Sequence, residues 1–187
     1  ARLDDRRVMH LTTVHRPRDV RIFHKEGRAL ARAGARVTVA GPRERLSRAR
    51  RPLAGWRLVA QARRRGADVF HVHDPELLPA AMWLAARTKV PVIYDAHEYL
   101  GHTARTKAWL PARLRVPIAL AAERVERLLA GRLAAVVTAN EDLAARFAAA
   151  GAHAVSVANS PWSDSFPQPA PPPGTPTVLY VGGLGPL

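Results

Sequence analysis

Short apolar runs recur along the chain at intervals that leave room for one helix between most of them, and this rhythm limits the possible folds more than any other feature. "VMHLTTV" (8–14), "RVTVA" (36–40), "ADVFHVH" (67–73), "VPVIYD" (90–95), "LAAVVTA" (133–139) and "AVSVA" (154–158) are brief and rich in β-branched residues. Runs of that length and composition read as strands buried on both faces. Between the first two, Val20, Phe23, Gly27, Leu30 and Ala31 form one apolar helical face and leave Arg21, Lys25, Arg28 and Arg32 opposite, with Asp19 as the expected N-cap. Near the end, Asn140 is placed to cap a helix that opens with Glu141 and Asp142, buries Leu143 and Phe147, and stops at Gly151. Strands alternating with helices in this way predict an α/β fold, a parallel sheet with helices on both faces.

The rhythm breaks twice. "GPRERLSRARRPLAG" (41–55) is short and basic and lacks the strand that the alternation would supply. After Asn159 the composition turns to "SPWSDSFPQPAPPPGTP", an extended Pro-rich linker, and "TVLYVGGLGPL" then begins a new strand and a glycine turn. The expected organisation is therefore a domain over 1–160, a linker over 161–176, and the first strand of a truncated or absent second domain over 177–187. With no cysteine among 187 residues there is no disulfide framework or thiolate site, and a cytoplasmic setting is expected. No apolar run is long enough to cross a bilayer.

"FHVHDPELLP" (70–79) carries the densest polar chemistry. Strand alternation turns His71 and His73 to the same face, a spacing with which some metal-dependent hydrolases begin. No second ligand cluster is evident in the sequence, and a plainer reading covers more residues. On that reading Asp74 caps a helix with Pro75 at its first position, Glu76 favours the helix dipole, and Leu77, Leu78, Ala81, Met82 and Ala85 form the buried stripe. His71 is then a hydrogen-bonded core histidine, and His73 sits at the carboxyl edge of the strand.

That edge matters because open α/β sheets bind ligands outside the carboxyl ends of their strands. His15, Arg16 and Arg18 follow the first strand, His73 and Asp74 the third, Asp95, His97 and Glu98 the fourth, Asn140 the fifth and Asn159 the sixth. Polar groups at one strand end after another predict a binding cleft. The first turn, "TTVHRPRDV", lacks the G-x-G-x-x-G through which a backbone approaches a dinucleotide pyrophosphate, and there is no P-loop. A hydroxyl-bearing ligand suits such strand ends better than a dinucleotide.

Taken in order, "HLTTVHRPRDVRIFHKEGRALARAGARVTVAGP", "DVFHVHDPELLP", "VPVIYDAHEY", "AVVTANEDLAARF", "VSVANSP" and "TVLYVGGLGP" resemble the amino-terminal half of the retaining, nucleotide-sugar-dependent glycosyltransferases of family four, which have the GT-B fold. The resemblance implies a Rossmann-like acceptor-binding domain facing a second one that holds most of the nucleotide-sugar. It implies His97 beside the donor sugar as the catalytic histidine, matches His73 and Asp74 to the family's cleft-facing pair, and puts Arg18 in place of the first-loop glycines; Asp95, Glu98 and Asn140 are expected substrate contacts from their place at the strand ends. Gly182 and Gly183 fall at the turn that meets the donor phosphates. The chain departs from the family twice: Pro17-Arg18-Asp19 stands where many members have a Gly-Gly pair, and Gly183 where many have an arginine. No cofactor beyond the nucleotide-sugar co-substrate is expected, and no metal, since basic groups and helix N-termini can take the phosphate charge. The first half alone is expected to fold without catalysing transfer.

A formal net charge of +14 attracts polyanions of any kind. Nucleic acid is not the expected partner, because the aromatic content of 6% lacks the stacking platforms of such modules. A nucleotide-sugar epimerase or hydrolase of the same fold is the nearer alternative. In "GHTARTKAWLPARLRVPIAL", Trp109, Leu110 and Leu114 lie among Arg105, Lys107, Arg113 and Arg115. Such a patch suits an anionic membrane surface and a lipid-linked acceptor at the inner face.

Overall fold

A computed structural model of the chain describes residues 3–160 and Gly174. The expected Pro-rich linker apart from Gly174, the expected strand after it, and Gly182 and Gly183 lie outside the described residues. The elements run β1 (Arg7–Leu11), a π-helix (Val20–Gly27) continuing into α1 (Arg28–Arg32), β2 (Arg36–Ala40) and α2 (Arg51–Arg65). Then follow β3 (Val69–Val72), α3 (Leu78–Thr88), β4 (Val92–Ala96), α4 (Leu100–Arg105), α5 (Ala112–Ala130), β5 (Ala135–Thr138), α6 (Glu141–Ala148) and β6 (Ala154–Ser156). All strand pairs are parallel, in the order β2-β1-β3-β4-β5-β6. This is the Rossmann-like α/β sheet that the alternation predicts.

Strand pleat sorts the core. Met9, Leu11, Phe70, Val72, Tyr94 and Val136 turn to one face, where they pack with Val59 of α2, Leu84 of α3, Ala130 of α5 and Phe147 of α6. The alternate residues His10, His71 and Asp95 turn to the other face and are buried there with Arg21 and Ile22 of the π-helix. No strand forms between Gly41 and Trp56; the span is loop and one 3₁₀ turn (Arg48–Arg50) leading into α2, so the sheet ends at β2.

The first helix corrects the sequence reading. Asp19 does cap it, accepting from the Arg21 and Ile22 N–H groups at 2.9 and 3.1 Å. Its π winding, however, changes which side chains face inward. Val20, Phe23 and Ala31 are exposed, while Arg21, Ile22 and Gly27 are buried. A 3.6-residue period misassigns a segment whose hydrogen bonds close wider turns.

The chain leaves β1 toward β2 on one side and returns to β3 on the other. The switch point therefore lies between β1 and β3, and ligand crevices of open α/β sheets form outside the carboxyl ends of such a pair. Gly55 lets α2 come close to that edge: a Cβ there would meet Leu77 at 2.9 Å and Thr13 at 3.6 Å.

Candidate functional site

At the switch point, β1 ends in Thr12 and Thr13 and β3 in His73 and Asp74. Asp74 stands at the N-cap position before Pro75, as expected, but its side chain makes no capping bond to that turn. It instead accepts from the Thr12 hydroxyl at 2.8 Å, the Thr13 N–H at 2.6 Å and the Val14 N–H at 3.3 Å. The carboxylate thus ties the loop after β1 to the end of β3 and is almost wholly buried. Thr13 also donates its hydroxyl to Glu76 at 3.1 Å.

Asp95, at the end of β4, is the hub of the buried face. Arg21 grips it with two bonds, Nη2 to Oδ1 at 2.8 Å and Nε to Oδ2 at 3.2 Å. His73 Nδ1 lies 3.2 Å and His97 Nε2 3.3 Å from Oδ2. Burial opposes the charge on Asp95, yet bonds from His73 and His97 outweigh it and hold the carboxyl well below the usual range. Assigning protons from this network, both imidazoles donate to Asp95. His73 Nε2 then accepts from His10 Nδ1 at 2.9 Å. For His97 the consequence is direct: Nε2–H is committed to Asp95, and Nδ1 is the nitrogen that a ligand can meet. His15 stacks on the His97 ring, centroids 5.2 Å apart.

His15, His73, Asp74 and His97 line a cleft of about 370 Å³ together with Glu98, Arg51, Lys107 and Glu126. Thr103 fixes Glu98 through a 2.9 Å bond. On the far wall the Tyr94 hydroxyl donates to Glu126 at 2.6 Å. Burial pushes the Glu126 carboxyl up to about 7. A second hollow of about 540 Å³ opens beyond Thr12 and Thr13, lined by Gly41, Arg50, Leu53 and Arg57.

Of the residues singled out in the sequence, His73, Asp74, His97 and Glu98 line the cleft. Asp95 touches it only through its partners, being fully buried. Arg18 is exposed, and Asn140 is used as a cap, accepting from the Leu143 N–H at 2.9 Å. His71 is buried as expected, but its Nε2 finds no hydrogen-bond partner. His73 sits at the strand edge and is nonetheless buried, 2% exposed. Sequence reasoning missed Thr12, Thr13, Arg21, Glu26 and Glu126. A buried arginine has no local pattern to betray it, and Glu126 lies inside a helix whose neighbours are basic.

Similarity to known proteins bears on the same residues. A family model described as a glycosyl transferase 4-like domain matches residues 2–161. No curated protein matches the chain. Among solved structures, a solute-binding protein of an ABC transporter system from Conexibacter woesei DSM 14684 is 15% identical with a TM-score of 0.38, covering 84% of this chain and 72% of that one. The family match takes in every described element from β1 to β6 and the whole cleft at the β1/β3 switch point, and the chain belongs to the glycosyl transferase 4-like family.

Proposed function

We propose that the protein transfers a sugar from a nucleotide-sugar donor to a hydroxyl-bearing acceptor with retention of configuration, and that this domain forms the acceptor side of the site. The observation that carries the reading is the convergence of His73, Asp74, His97 and Glu98 on one cleft at the topological switch point. His97 offers Nδ1 to a sugar hydroxyl, and Asp95 behind it stabilises positive charge developing at the ring. That holds a donor sugar in one orientation while its bond to the departing nucleoside diphosphate lengthens and oxocarbenium-like charge develops. Arg51 and Lys107 on the cleft wall are cations within reach of the phosphates. The hollow beside Arg50, Leu53 and Arg57 is the seat assigned to the acceptor. Gly182 and Gly183 remain the residues proposed to meet the donor phosphates. Neither an epimerase nor a nucleic-acid module finds support in the family match.

The acceptor is proposed to be lipid-linked, at the inner face of a membrane from the cytoplasmic side. Leu114, Ile118, Val125 and Leu128 of α5 are exposed along one helical stripe, flanked by exposed Arg113 and Arg124. Trp109 is exposed beside them, whereas Leu110 is buried and leaves the patch. No helix among the described residues is long and apolar enough to cross a membrane.

The test is transfer by the protein in its two-domain form, with a panel of nucleotide-sugars and hydroxyl acceptors and the product anomer read by NMR. Transfer with retention is expected. Inversion, or turnover of the donor that no acceptor stimulates, contradicts the reading.

A further inference from the structure

The face of the sheet beneath the π-helix holds a second set of polar side chains, of which only His73 also lines the cleft. His10 of β1, His71 and His73 of β3, and Glu26 of the π-helix each bring one ligating atom to within 4.8 Å of all the others. His10 Nδ1 and His73 Nε2 are 2.9 Å apart, and Glu26 Oε2 lies 3.9 Å from each. The point equidistant from these three atoms is about 2.1 Å from each, the usual zinc–imidazole or zinc–carboxylate length, but lies in their plane; tetrahedral binding therefore requires His10 Nδ1 and His73 Nε2 to part by about 0.5 Å as the ion replaces the bond between them. His71 supplies a fourth donor, completing the number that a closed tetrahedral site requires. Behind His73 its remaining N–H meets Asp95 at 3.2 Å, the carboxylate support that fixes the tautomer of a ligating histidine.

Of the four side chains, Glu26 and His71 are poorly served by the protein alone. Glu26 Oε2 and His71 Nε2 are buried with no hydrogen-bond partner. Orphaned polar atoms of this kind are costly, and few are found in a folded chain. Burial holds His10 and His71 low, so both are neutral, the form that binds metal, while burial and the neighbouring Asp95 raise the Glu26 carboxyl to about 9, so an ion bound there displaces its proton. Glu26 also borders a hollow of about 180 Å³ beside Lys25 and Asn159.

We propose that His10, Glu26, His71 and His73 bind one divalent d-block cation of the zinc class, in a closed structural site that pins the π-helix to β1 and β3. Imidazole and carboxylate donors suit zinc, and four protein ligands leave no position for substrate, so the ion holds the fold rather than performing chemistry. The site shares His73 with the cleft, whereas His10, His71 and Glu26 belong to it alone, so variants at His10 and Glu26 test it apart from the sugar-transfer reading.

The experiment takes the full 187-residue chain, strips it with chelator, and titrates it with Zn²⁺ by calorimetry and Co²⁺ by visible absorption, with circular dichroism reporting the fold. One equivalent is expected, with the intense visible bands of tetrahedral Co²⁺ and a raised Tm; a stripped chain that regains its fold only when Zn²⁺ is added gives the same answer. Glu26→Gln and His10→Gln should each weaken binding by about a hundredfold or more, beyond what loss of a supporting partner costs. Should His10→Gln fail to fold, Glu26→Gln at the helix edge carries the comparison. His97→Ala should still bind one equivalent. Three results overturn the proposal: no stoichiometric binding by the folded chain, binding that Glu26→Gln leaves unchanged, or binding lost in His97→Ala and kept in Glu26→Gln.

Discussion

Replacing Glu126 by glutamine should remove the share of the pH dependence of stability between pH 5 and pH 8 that this one buried carboxyl contributes. Glu126 is 5% exposed, and burial moves its carboxyl from 4.5 to about 7 against the opposing bond from Tyr94. The folded carboxyl thus keeps its proton to higher pH than the unfolded one, and the folded state binds more protons throughout that window. Stability contributed by the neutral form is complete below the unfolded value and falls as pH rises through the folded value. Integrated from pH 5 to pH 8, a displacement of this size is worth about 2.5 kcal/mol. Glutamine fills nearly the same volume and can still accept from the Tyr94 hydroxyl, so little packing is lost. Urea unfolding followed by circular dichroism at half-unit pH steps measures the difference. The variant should match the wild type near pH 5 and exceed it by about 2 kcal/mol at pH 8. Parallel profiles for the two proteins would refute the claim that a buried, protonated Glu126 forms this wall of the cleft.

Arg21→Met keeps the length of the stem but leaves Asp95 buried without its bidentate partner; urea unfolding at pH 7 should show a loss of about 3–5 kcal/mol, whereas a loss below about 0.5 kcal/mol, as for a solvated surface arginine, would contradict the inward placement. The α5 stripe should draw the chain onto vesicles containing phosphatidylglycerol and not onto neutral ones. Val125→Ser with Leu128→Ser should abolish that sedimentation, and equal sedimentation with both lipids would count against a membrane role.

The strands were readable because a buried strand of a parallel sheet must be a short apolar run, and β2, Arg36–Ala40, has the bounds that its sequence predicts. Asp19 and Asn140 were readable as caps because a cap acts within three residues of itself. What failed was longer in range or unusual in winding. Asp74 carries every local mark of an N-cap, yet its Oδ2 accepts from Thr12 and Thr13, more than 60 positions away in sequence. No local pattern reports such a contact. Arg21 was assigned to solvent because the expected period is that of an α-helix, and the π winding turned it onto Asp95. The same change brought Glu26 over His10 and His73, so the second half of a ligand cluster, invisible in "HVHD", emerges only from the fold. The cleft residues His73, Asp74, His97 and Glu98 were legible from their place at strand ends, a property of the topology.

The central claim is that the Asp95-held imidazole of His97 meets the reacting sugar. Its most direct test is steady-state transfer by His97→Ala in the two-domain enzyme, with His73→Ala alongside it. Removing one well-placed group at a developing charge costs about a hundredfold or more in rate. The account predicts a fall of that size in kcat for His97→Ala, with the KM for the nucleotide-sugar and the Tm little changed. Near-normal turnover in His97→Ala, with activity abolished in a folded His73→Ala enzyme, would contradict it and move the chemistry to the end of β3.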